Sequence, residues 1–111
     1  MQLPNADRAL IDDVKVRDYL LSPTHPVGRY KARVFVAAGY QRDNWQRLRD
    51  DLAQLALTGD ASLVGSDRFG QRWTTVGALS APKDPLRVLV VWLIPSEVAS
   101  PRLITAYPSP P

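Results

Sequence analysis

The sequence predicts an α+β domain, with N-terminal helices packed on one face of a roughly four-stranded antiparallel sheet. Three observations carry that expectation. Up to Gly59, apolar residues recur at three- and four-residue spacing, the mark of helices buried along one side. Beyond Gly59 the period becomes two, in stretches rich in valine, threonine and tryptophan divided by proline and glycine turns. With 111 residues the chain has material for one core, so the expectation is a single domain: 1–59 mainly helical, 60–107 sheet, 108–111 a tail.

Asp12 and Asp13 are placed to cap a first helix, in which Val16, Tyr19 and Leu20 form an apolar stripe that ends at Pro23. Residues 22–28, SPTHPVG, hold two prolines and a glycine and read as a rigid, irregular loop carrying His25. Tyr30, Val34, Phe35 and Ala38 make a second helical stripe, which Gly39 closes. A third helix starts at Asp43 or Asn44 and buries Trp45, Leu48, Leu52 and Leu55. Strands follow at 61–65, at 71–79, where Trp73, Thr75, Gly77 and Leu79 share a face, and at 86–94, whose near-continuous apolar run suits a strand central in the sheet or buried on both faces. In the last strand, 102–107, strict alternation puts Leu103, Thr105 and Tyr107 on one face and Arg102, Ile104 and Ala106 on the other. The prolines of the tail PSPP are read as unable to join a sheet.

Composition excludes several function classes. Without cysteine there is no disulfide, thiolate zinc site or cysteine nucleophile. A single histidine and scattered acids leave no expected metal site, and no glycine-rich phosphate loop is present, so no cofactor is expected. The longest apolar run is far shorter than the roughly 20 residues of a membrane helix, and the N-terminus has no secretory pattern, so the expectation is a cytoplasmic protein with no membrane partner. Net charge is +3, but residues 22–42 hold Arg29, Lys31, Arg33, Arg42 and no acid, leaving the remainder slightly acidic. Such a window is either the solvated face of a helix or a site for an anion.

For that second reading the residue types suit phosphate chemistry without metal. Cleavage of RNA by its own 2′-hydroxyl needs one group to take the hydroxyl proton, one to protonate the leaving oxygen, and cations around the phosphorane. His25 is the natural proton carrier, and Lys31 and Arg29 supply charge. On a helix Arg29 and Arg33 share a face while Lys31 points elsewhere, so the three cannot all meet one phosphate. With one histidine, the second proton falls to Lys31, Tyr30, Tyr107 or a phosphate oxygen. Thr105 and Tyr107 could hold phosphate or the 2′-hydroxyl, although β-branched and aromatic residues are also ordinary strand formers. Trp73 and Trp92 are read as core.

LPNADRALID, LLSPTHPVGRYKARVFVAAGY, FGQRW and PRLITAYP together resemble a family of small uncharacterised bacterial proteins that also occurs as a C-terminal domain of polymorphic, phage-head-type toxins. The proline-flanked histidine at 23–32 and the closing TAYP at 105–108 are its most specific stretches. The resemblance implies a toxin-like ribonuclease of the barnase, EndoU, colicin and RelE type, with a helices-then-sheet fold. It carries His25, Lys31 and Thr105 over as the polar site, with Arg29 or Arg33 as phosphate contacts. The expected function is thus a metal-independent endoribonuclease acting on RNA, held in check by a cognate inhibitor. The alternative is a non-catalytic RNA- or protein-binding module of a toxin–antitoxin-like pair.

Overall fold

Leu48, Leu52, Leu55 and Ala56 fall along one side of a 3.6-residue helix, and all four are buried in α3 (Trp45–Thr58). A computed structural model of the chain describes residues 1–26 and 28–108. Val27, in the loop expected over 22–28, and residues 109–111 of the expected tail lie outside the described residues. After a 3₁₀ turn (Ala6–Arg8) come α1 (Asp13–Lys15), which runs on as a π-helical stretch (Val16–Leu20), then α2 (Arg29–Ala37), a second 3₁₀ turn (Arg42–Asn44) and α3. Four strands follow: β1 (Asp60–Asp67), β2 (Gly70–Leu79), β3 (Leu86–Pro95) and β4 (Arg102–Pro108). They form one antiparallel meander in the order β1-β2-β3-β4, so helices and strands occupy separate segments, an α+β arrangement. No helix among the described residues is long and apolar enough to cross a membrane.

Alternation decides which sheet face meets the helices. Trp73, Thr75 and Leu79 of β2 and Val88, Val90 and Trp92 of β3 are buried with the helical leucines in one core. The intervening Leu89, Val91 and Leu93 are only half-buried, so the apolar strand is internal with one covered face. Its Trp92 is wholly buried and donates its indole N–H to Thr75 Oγ1 at 3.0 Å, which satisfies both groups inside the core.

Local detail departs from the simple patterns at four places. Asp12 caps α1 by accepting from the Val14 amide at 2.9 Å, but the helix then widens, with Leu21 N–H reaching Val16 C=O at 3.0 Å. Winding fewer degrees per residue rotates Tyr19 off the line of Val16 and Leu20, which are wholly buried while Tyr19 is half-buried. Tyr30, expected in the stripe of α2, is 58% exposed, and Ala32, Phe35 and Ala38 fill the core side instead. Arg17 and Arg42 both bond the carboxylate of Asp18 and hold its pKa down at about 2, which ties the π-helical stretch to the approach to α3. Pro108, placed in the tail by its composition, is instead the last residue of β4, opposite Val88. It sits on an edge strand, where a missing N–H removes no ladder bond from an outer neighbour.

The fourth departure changes the face of the last strand. Trp92 pairs with Leu103 while Val91 pairs with Thr105, so one step along β3 matches two along β4 and Ile104 is an inserted bulge residue. Leu103 and Ala106 therefore both point into the core, buried to 1% and 0% exposure, and Arg102 shares the other face with Thr105 and Tyr107. The expected grouping of Leu103 with Thr105, and of Arg102 with Ile104 and Ala106, is corrected by that single insertion. The Ile104 carbonyl is satisfied by Lys15 Nζ at 2.9 Å.

Candidate functional site

A lysine ammonium has three hydrogens and no acceptor, so a partly buried one must find several oxygens or a ring face. Lys31, in the first turns of α2, finds both. Its Nζ donates to Thr105 Oγ1 at 2.7 Å and to Tyr19 Oη at 2.9 Å, and lies 4.1 Å from the centroid of the Tyr107 ring. The two hydroxyls are 3.3 Å from each other. Two neighbouring helical segments, the π-helical stretch and α2, thus converge with a strand distant in sequence at the β4 edge, just past the bulge.

The proline-flanked loop closes the group on one side. His25 stands edge-on to the Tyr19 ring, centroids 4.9 Å apart, and its Nδ1 accepts the Gly28 amide at 3.0 Å. That bond sets the neutral tautomer, which carries its hydrogen on Nε2. Gly28 is required here by space, since a Cβ on it would collide with the Tyr19 carbonyl and stand 2.9 Å from Tyr19 Cδ1. The absent side chain lets the start of α2 press against Tyr19 and brings His25 beside the phenol.

The phenol of Tyr19 is the perturbed group of the cluster. Burial pushes its pKa up, but hydrogen bonds from Lys31 and Thr105 and the charges of Lys31 and Lys15 together outweigh burial and leave it below the ordinary value for tyrosine. A folded pKa below the unfolded one means that ionised Tyr19 favours the folded state. Its contribution is absent at neutral pH, grows as pH rises through the folded value, and is complete above the unfolded value near 10. In an absorbance titration one of the four tyrosines should ionise ahead of the others, and that early step should vanish in Tyr19→Phe and move to higher pH in Lys31→Met. An early step unchanged in both variants would contradict the assignment.

The cations expected to join Lys31 form a separate cluster. Arg29 stacks its guanidinium 4.7 Å from the Tyr30 ring centroid and donates to Tyr30 Oη at 3.0 Å, and Arg33 lies 5.6 Å from the same ring. Of the expected residues, the structure brings together His25, Lys31, Thr105 and Tyr107, and sets Arg29, Tyr30 and Arg33 apart on the outer face of α2. In the sequence Tyr19 reads only as part of an apolar stripe. Its signal was weak, a phenol one helical turn before a proline loop that contains the only histidine. Among the described residues no group of three metal-ligating side chains stands together.

In chemical terms the cluster offers a fixed cation, two hydroxyls bonded to it, an imidazole and a half-exposed aromatic ring, all within one small region. A family described as a domain of unknown function (DUF6883) matches the chain over residues 2–110. Nothing among curated proteins and nothing among solved structures matches it.

Proposed function

The chain belongs to the DUF6883 family, and we propose that it is a metal-independent endoribonuclease of bacterial toxin type that cleaves RNA by attack of the 2′-hydroxyl. The observation that carries this reading is the meeting of Lys31, Tyr19 and Thr105 on one side and His25 on the other. In the reaction the 2′-oxygen forms a bond to phosphorus, and the bond from phosphorus to the 5′-oxygen breaks. His25 and Tyr19 carry the two protons, one receiving that of the 2′-hydroxyl and the other supplying the leaving 5′-oxygen, and solvent exchange restores both. Lys31 serves two charges: the phosphorane oxygens, and the phenolate whenever Tyr19 is ionised. Thr105 positions the phosphoryl group, and the exposed face of Tyr107 offers a stacking surface for a base.

Arg29, Tyr30 and Arg33 favour a second reading, because this exposed cationic cluster could bind RNA with no help from the polar group. On that reading the chain is a binding module of a toxin–antitoxin-like pair. The two separate in a cleavage assay of wild type and His25→Ala on total RNA in EDTA. The ribonuclease reading expects fragments with 2′,3′-cyclic phosphate ends, and about 10²- to 10⁴-fold slower cleavage by His25→Ala at little change in melting temperature. No cleavage by a folded wild type, with salt-sensitive RNA binding retained, would replace it with the binding module.

A further inference from the structure

The sheet face turned away from the core is continuous with the polar cluster, where Tyr19 and Lys31 cover Thr105, and it carries an arginine on each of β2, β3 and β4. In an antiparallel sheet, paired residues project to the same side. Arg72, Leu93 and Arg102 form one row across β2, β3 and β4, and Thr74, Val91 and Thr105 form the next. Val76, Leu89 and Tyr107 follow, and then Ala78 beside Arg87. Arg87 thus stands just beyond Tyr107, while Arg102 and Arg72 stand beyond Thr105 in the opposite direction. Only the bulge at Ile104 makes this so, because without it Arg102 would project to the other face.

All three arginines are exposed, and among the described residues none of their guanidinium groups is engaged in a hydrogen bond or ion pair. The strand acids of this face lie on β1: Asp60 stands near the N-terminal amine, and Asp67, which accepts the Phe69 amide, borders the same groove as Arg72. Shallow grooves lie on either side of Leu93, one bordered by Arg72 and Asp67 and the other by Lys15, Arg102 and Asp12, whose carboxylate is engaged by the Val14 amide. From Arg87 to Leu93 the path runs about 20 Å at roughly 3.3 Å per residue. A linear polyanion laid along it would meet free cations before and after the Lys31–Thr105 pair.

We propose that the outer face of β2, β3 and β4, from Arg87 past Tyr107 and the Lys31–Thr105 pair to Arg102 and Arg72, is the track for single-stranded RNA on both sides of the cleavage point. This rests on the ribonuclease reading of the cluster and adds the path of the substrate. A flexible single strand follows a flat, half-apolar sheet better than a duplex does, since it can turn its bases onto Leu89, Val91 and Tyr107 while its phosphates reach the arginines.

The test is the salt dependence of binding to a labelled 2′-O-methyl oligouridylate, which has no 2′-hydroxyl to react. Each phosphate contact on a single strand contributes about 0.7 to the slope of log affinity against log salt. Arg72→Ala, Arg87→Ala and Arg102→Ala should each reduce the slope by about that amount, and Arg49→Ala, on the outer side of α3, should leave it unchanged. Wild-type slopes in all three sheet variants, with a reduced slope in Arg29→Ala or Arg33→Ala, would place RNA on α2 and overturn the track. Equally tight binding of polyglutamate would assign the face to an acidic protein surface and also overturn it. Failure of the wild type to bind the oligonucleotide at all would instead remove the ribonuclease reading on which the track rests.

Discussion

Lys31→Met should cleave RNA about 10³-fold more slowly than wild type while unfolding at nearly the same temperature. The size of the effect follows from what the ammonium touches. It is the one cation bonded to both Tyr19 Oη and Thr105 Oγ1, and in a partly dry site the loss of one such preorganised donor removes about 10²- to 10³-fold in rate. Its removal also takes away the charge that lowers the Tyr19 pKa, so the phenol becomes a poorer proton donor as well. Methionine keeps the stem that packs between the rings, and the two hydroxyls left behind are 3.3 Å apart and can pair with each other. Stability is therefore spared. Lys31→Arg is the informative companion, because a planar fork cannot direct two hydrogens from one nitrogen in the geometry of the ammonium, and an intermediate rate is expected. Cleavage by Lys31→Met within tenfold of wild type would remove Lys31 from the reaction.

The second large effect concerns the fold. Trp92→Ala should destabilise the protein by about 4 kcal/mol, within the usual 3 to 5 kcal/mol for large aromatic truncations, and lower the melting temperature by roughly 15 to 20 °C. Two causes add. A wholly buried indole on an internal strand leaves a cavity that its strand neighbours cannot collapse into, and Thr75, also buried, loses the hydrogen bond at its hydroxyl. Trp92→Phe separates them, since it keeps most of the volume and loses only the N–H donor, and about 1 to 2 kcal/mol is expected. Against a total stability of about 5 to 15 kcal/mol the alanine variant stands near the margin of folding. A loss below 1 kcal/mol on chemical unfolding would show that Trp92 is not the keystone of the sheet–helix interface.

Much of the architecture can be read one element at a time. The leucines of α3 and the alternation of Trp73, Thr75 and Leu79 in β2 each state which side is buried, because burial follows the period of the local backbone. His25, Lys31, Thr105 and Tyr107 also stood out by residue type. What the patterns concealed are the places where the backbone leaves its ideal period. The π-helical winding of residues 16–20 took Tyr19 out of an apolar stripe, and the bulge at Ile104 exchanged the faces of Leu103 and Arg102. A hydroxyl within an apolar stripe and an extra residue in a strand have no periodic signature, so neither could be found by counting.

By itself, then, the chain's order of residues determined the α+β class, the helices-then-sheet sequence, the core and the choice of basic, hydroxyl and imidazole groups. Local spacing and side-chain chemistry are enough for those. Only the tertiary structure decided that Lys31 meets Tyr19 and Thr105 rather than Arg29 and Arg33, and that Arg102 joins Thr105 on the sheet face turned away from the core. Those pairings join Lys31 to residues 12 and 74 positions away in the first case, and in the second depend on one inserted residue. Contacts at such separation are set by how whole elements dock, and docking is settled by the shared core rather than by any short stretch of sequence.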